Sequence, residues 1–209
     1  MSPILDSIGS VKGYGWGALS LASSAYEFIA TMVATTSNVT QLTFSSIPST
    51  YKHLEIRYFA HSNNSTNTNA SAELIFNGDT SSNYTRNVDN AYILPSGGGY
   101  REGSAAVTST VAIYPTLGGI YASDQTNAWN PGVIYILDYS NTTKGKSCSI
   151  IAGVHYNYLH SNDSLDAAII RLDYGFWKNT TSAINRIDIK TSGYNFTTNS
   201  RFSLYGVKS

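Results

Sequence analysis

Four histidines, one cysteine and a scatter of acids are the residues of this chain whose types suit chemistry. His53, His61, His155 and His160 form no His-Glu-x-x-His pair, and a single cysteine rules out the Cys–His spacings of zinc modules. His53 and His61 would stand about 26 Å apart on one strand, too far to share a metal. His155 and His160 could meet across a turn, although ordinary loop histidines account for them. Cys148, in Ser147-Cys148-Ser149-Ile150-Ile151, reads as a small buried hydrophobe rather than a nucleophile. Gly-x-Ser-x-Gly is absent, so a hydrolase elbow has no support. Asp163, Asp166 and Asp173 are acidic, but strand ends and turns explain them better than a paired-carboxylate centre. The loop Asn77-Gly78-Asp79-Thr80-Ser81-Ser82-Asn83 offers oxygens to Ca²⁺ but lacks the closing Glu of an EF-type loop. The expectation is a chain with no catalytic residues, no metal and no cofactor, hence not an enzyme.

Binding has more to work with. Tyr84, Tyr92, Tyr100, Tyr114, Tyr121 and Trp129 fall in one irregular stretch rich in Asn and Asp. Aromatic faces beside such groups suit sugar rings, and Tyr and Trp are also favoured in assembly contacts. These six are the expected ligand or assembly contacts.

The elements that must position them read as strands. Leu54, Ile56 and Tyr58 alternate with Glu55, Arg57 and Phe59, a period of two that puts the first set in a core. Before them, Ile47-Pro48 marks a strand end, because proline has no N–H for a ladder. Tyr26–Ala34 and Val39–Ser46, joined by four polar residues, read as a hairpin. Further strands are expected at His53–Ser62, Ala72–Asn77, Tyr92–Leu94, Ala105–Tyr114 and Val133–Tyr139, the last central. Ser147–Tyr158, Leu165–Trp177, Ile184–Thr191 and Arg201–Val207 follow. In Leu165–Trp177, Ala167, Ile169, Arg171 and Asp173 alternate with Ala168, Ile170, Leu172 and Tyr174. About ten short strands without βαβ alternation predict an all-β fold, a jelly-roll-like antiparallel β-sandwich over residues 26–209.

Composition narrows the partners. The chain has 209 residues, no net charge and only 12% charged residues, which argues against nucleic-acid binding. Sixteen Tyr with abundant Ser, Thr, Asn and Gly suit strands joined by turns. No apolar run is long enough to span a membrane, so no membrane insertion is expected. No basic stretch leads into an apolar one at the start, so no secretory signal is expected and the Asn-X-Ser/Thr triplets are put down to composition. Residues 1–25 differ from the rest: Lys12-Gly13-Tyr14-Gly15-Trp16 sets two aromatics among glycines. An arm with Lys12, Tyr14 and Trp16 as docking anchors is the expected role.

Phe44-Ser45-Ser46-Ile47-Pro48-Ser49-Thr50-Tyr51-Lys52-His53-Leu54-Glu55-Ile56-Arg57 resembles a segment of small tail-associated and virion accessory proteins of bacteriophages. Phe76-Asn77-Gly78-Asp79, Asn83-Tyr84 and the ending, Asn195-Phe196 with Ser200-Arg201-Phe202-Ser203-Leu204-Tyr205-Gly206-Val207-Lys208, are similar to later parts of that pattern. The resemblance spans residues 26–209, and the leader from Gly9 to Trp16 is similar to N-terminal segments of other phage structural proteins. It implies a non-enzymatic virion protein on the exterior of the particle, docked through its arm to other phage proteins of the tail or capsid. A tail fibre or tail-surface component leads, and a capsid decoration protein follows. It also implies a homotrimer and possible contact with a host-surface glycan. A free glycan-binding module and a polysaccharide hydrolase are the rival readings.

Overall fold

The computed structural model describes residues 25–63, 71–93, 99–103, 107–115, 129–155 and 168–208. The expected arm, with Lys12, Tyr14 and Trp16, lies outside these residues. So do Tyr121, His160, Asp163 and Asp166. Twelve strands are present among the described residues: β1 (Tyr26–Val33), β2 (Gln41–Phe44), β3 (His53–Ala60), β4 (Glu73–Phe76), β5 (Tyr84–Ile93), β6 (Gly99–Gly103), β7 (Val107–Thr110), β8 (Asn130–Ile136), β9 (Lys146–His155), β10 (Ala168–Trp177), β11 (Ile187–Lys190) and β12 (Arg201–Val207).

All pairings are antiparallel and make two sheets. The large one runs β1-β12-β3-β8-β9-β10-β5-β6, with β7 on β5, and the small one runs β2-β11-β4. Ile113 extends the small sheet by bridging to Leu74 of β4, its N–H donating to the Leu74 carbonyl at 3.1 Å. The chain therefore hops between layers: β1, β3, β8 and β12 in one, β2, β4, the Ile113 segment and β11 in the other. Two such interlocked four-strand sets are the jelly-roll plan. Here β9, β10, β5 and β6 continue one layer well past it.

The core lies between the layers. Leu54, Ile56 and Tyr58 of β3 are buried, as their alternation predicts, against Leu42, Phe44, Leu74, Phe76, Ile187 and Ile189 of the small sheet. Tyr58 lies opposite Gly132 of β8, and a Cβ there would come within 2.2 Å of the Tyr58 ring. Glycine at 132 is thus what admits the ring, which then stacks on Phe202 at 5.3 Å. The Pro48 bend is held from outside the strands: the buried Tyr139 hydroxyl donates to the Pro48 carbonyl.

Two expectations need correction. Tyr26–Ala34 and Val39–Ser46 do not form a hairpin, because β1 pairs with β12 and β2 with β11, in different sheets. Facing layers let β2 bury Leu42 and Phe44 and let Ile29, Ala30 and Met32 of β1 pack half-buried against the same core, which a lone hairpin would not do. Nor is Tyr92–Leu94 a short strand of its own. Tyr92 belongs to the end of β5, whose ten residues all pair with β10.

One surface cluster yields a prediction. Asp138, at φ 49°, accepts from Lys144 and from Lys52 at 2.9 Å, and its N–H donates to His53 Nδ1 at 3.0 Å. Hydrogen bonds from Lys144 and Lys52 hold its carboxyl down to about 2. A depressed folded pKa stabilises above the unfolded value and loses that stabilisation as pH falls through the folded one. Asp138→Asn, which tolerates the same left-handed backbone, should lower Tm at neutral pH. The gap from wild type should close between pH 4 and about 2 in pH-dependent thermal melts.

Candidate interaction surface

Strand β10 inverts the usual rule. Apolar-in would turn Ile170, Leu172 and Tyr174 toward the core, yet they are 54, 49 and 52% exposed. The other face of β10 carries Arg171, Asp173, Gly175 and Trp177, and it is this set that points in. Trp177 decides the matter: it is 1% exposed, packs on Phe76 and Tyr84, and donates from Nε1 to Asp79 at 2.8 Å. Gly175 assists, since a Cβ there would meet Ile113 at 2.5 Å. With the strand so fixed, Asp173 is buried in line with Ile150 and Ile134 and is held by Arg171 Nε at 3.0 Å.

The outward residues line up across the large sheet. One row runs Asn87, Tyr174, Ser149, Tyr135, Glu55, Tyr205 and Phe28, each the register partner of the next. The adjacent row runs Asp89, Leu172, Ile151, Val133, Arg57, Ser203 and Thr31. The two ends differ in chemistry. Toward β1, the buried Glu55 carboxylate accepts from Arg57 Nε at 2.6 Å, and the guanidinium lies over the rings of Tyr205 and Tyr26 at 4.9 and 5.4 Å. The nearby Glu55 charge raises the Tyr26 hydroxyl above its ordinary value. Toward β10, Ile151, Ile170, Leu172 and Tyr174 form an apolar end around small Ser149. A cavity of about 300 Å³ opens there, lined by Asn87, Asp89, Ser149, Ile151, Leu172 and Tyr174.

Of the six aromatics expected as contacts, Tyr84, Tyr114 and Trp129 have described side chains, and each has a partner of its own. Tyr84 is fully buried, its ring against Phe76 and Trp177 and its hydroxyl accepting from the Phe76 N–H at 2.9 Å, so it is a core residue. The Tyr114 ring lies under Arg86 at 4.4 Å. Trp129 stacks on half-exposed Phe59 at 5.0 Å and sits beside His61. Tyr92 and Tyr100 are Cα partners in the β5–β6 ladder. The apolar end on β9 and β10 was not foreseen as a contact surface. Its signal was present in Ile170-Arg171-Leu172-Asp173-Tyr174, where both faces carry bulk, and nothing local says which face turns out.

Among the described residues, the groups singled out for chemistry have structural partners. His53 and His61 work apart: His53 accepts from Asp138, whereas His61 is buried with Nδ1 3.0 Å from Thr197 Oγ1. Asp79 closes its own loop. Burial would raise its carboxyl, but hydrogen bonds from Asn83, Trp177 and Ser81 hold it below its ordinary value. Cys148 is buried, and burial together with the Asp173 charge pushes its thiol up, away from nucleophilic use. Among the described residues no three His, Cys, Asp or Glu side chains are grouped to hold a metal. What the outer face can do is exclude water against an apolar partner. No protein-family model, curated protein or solved structure matches this chain.

Proposed function

We propose that the chain is a non-enzymatic structural protein of a bacteriophage virion, foremost a tail fibre or tail-surface component. Residues 1–25 would dock it to other virion proteins, and the jelly-roll body would face outward as a homotrimer. The observation that carries this reading is the uncovered apolar end of the large sheet. A jelly-roll body with so much apolar side chain in water suits a subunit that works inside an assembly. The sequence resemblance to virion accessory proteins supports the same class.

Capsid decoration is the near alternative, and imaging of labelled protein on intact particles separates the two. The glycan reading has less behind it now that Tyr84 lies in the core and Trp129 is stacked on Phe59. The direct test compares purified particles carrying full-length chain with particles made with a 1–25 deletion. Full-length protein is expected in the particles and the truncated body, still folded, is expected to be missing. Absence of the full-length chain from particles overturns the reading. Normal incorporation of the truncation overturns the docking role of the arm.

A further inference from the structure

We infer that the apolar end of the large sheet, centred on Leu172 and Ile151, is covered by a second copy of this chain. This deepens the homo-oligomer part of the reading above. It is separable from the virion part, because self-association is measured on the purified chain alone.

Area, charge and shape point to a second copy rather than another occupant. Strands β5, β9 and β10 are ten residues long and β8 is seven. Four such strands side by side present roughly 600 Å² in projection. Side-chain relief brings this close to the about 800 Å² per partner of a standard stable interface. Ile151, Ile170, Leu172 and Tyr174 are each about half exposed, 48 to 54%, so the patch keeps much of its apolar surface in water.

The charges are those of a surface able to meet itself. Asn87, Ser149, Ile151, Ile170, Leu172 and Tyr174 are uncharged; Asp89 also lines the cavity, and the carboxylate of Asp173 beneath it is buried and held by Arg171. Among the described side chains of the patch none is a cation that would suit a nucleic acid or an acidic peptide. Two copies would meet little like-charge repulsion, and the chain's zero net charge adds no long-range barrier. The same patch also carries both a socket, the cavity above Ser149, and the projecting Ile170 and Leu172 that could enter one. A patch that carries both parts can meet its own copy, pairwise or around a three-fold axis.

Sedimentation velocity on the purified full chain at micromolar concentration tests this. Wild type should sediment as an oligomer. Leu172→Glu should be monomeric, with association weakened at least about thirtyfold, while its circular dichroism and Tm stay close to wild type. Phe28→Glu, at the far end of the same face, should remain oligomeric. If Leu172→Glu loses its fold, Ile170→Lys reads the same surface. A monomeric wild type overturns the inference and leaves the face to a different partner. So does a folded Leu172→Glu, or a folded Ile170→Lys in its place, that assembles like wild type, and so does dissociation by Phe28→Glu in its stead.

Discussion

Trp177→Ala should lower the free energy of unfolding by about 4–5 kcal/mol, at the upper end of large-to-small core substitutions. Trp177 is the anchor of β10. Its ring is 1% exposed, stacks on Tyr84 at 6.3 Å and meets Phe76 edge-on at 5.8 Å. Removing it strips Asp79 of the indole N–H and leaves Lys146 without the ring 5.2 Å from its ammonium. Lys146 is itself fully buried, and burial lowers its pKa, so the loss falls on a group with few alternatives. Its Nζ would keep the backbone carbonyls of Asn179 and Ser182. Urea unfolding followed by circular dichroism measures the effect. Trp177→Phe, which keeps an aromatic ring, should cost clearly less than Trp177→Ala. A loss below about 2 kcal/mol for the alanine variant would show that Trp177 does not hold the strand.

Arg171→Met should be nearly as damaging, about 3–5 kcal/mol at neutral pH, because it removes the hydrogen-bonded partner of the buried Asp173 carboxylate and leaves it the weaker pull of Arg86. Asp173 is 4% exposed, and its Oδ2 already lacks a hydrogen-bond partner. Burial raises its carboxyl above the ordinary value even though Arg171 pulls it down. A raised folded pKa favours the fold below the unfolded value near 3.8 and costs stability as pH climbs through the folded one. Without Arg171 the carboxyl rises further. The loss should therefore be largest at neutral pH and shrink on acidification toward pH 4. Arg171→Met with Asp173→Leu should return to within about 1 kcal/mol of wild type, since buried ion pairs are often replaceable by apolar groups of similar size. Chemical denaturation of both variants at several pH values checks both parts. A double variant as unstable as the single one would mean that the pair helps to set which face of β10 turns in.

How far the sequence reaches is clearest from particular strands. In β3 the alternation of Leu54, Ile56 and Tyr58 with Glu55, Arg57 and Phe59 is one-sided, and those three residues are core. β12 spans Arg201–Val207 as read, because Phe202 and Leu204 alternate with polar neighbours. β10 is different. Ile170, Leu172 and Tyr174 look like a core face and are the surface, since Trp177 and Gly175 on the other face commit the strand first. Tyr84 misleads in the opposite sense: it opens a polar stretch, but its register partner is Trp177, and the pair closes the core together. The hairpin expected for β1 and β2 fails for a related reason. Four polar residues are compatible with a turn within a sheet or a step between sheets, and only the distant partners β12 and β11 distinguish the two.

By itself, then, the sequence determined the all-β class, the positions of most strands and the core face of β3, because local alternation and turn chemistry act over a few residues. Only the tertiary structure decided which strands share a layer and which face of β10 meets water. Those choices rest on pairings between residues far apart in the chain. Burying Trp177 against Tyr84 and Phe76 outweighs the apolar preference of Ile170, Leu172 and Tyr174. The candidate surface is what that competition leaves exposed.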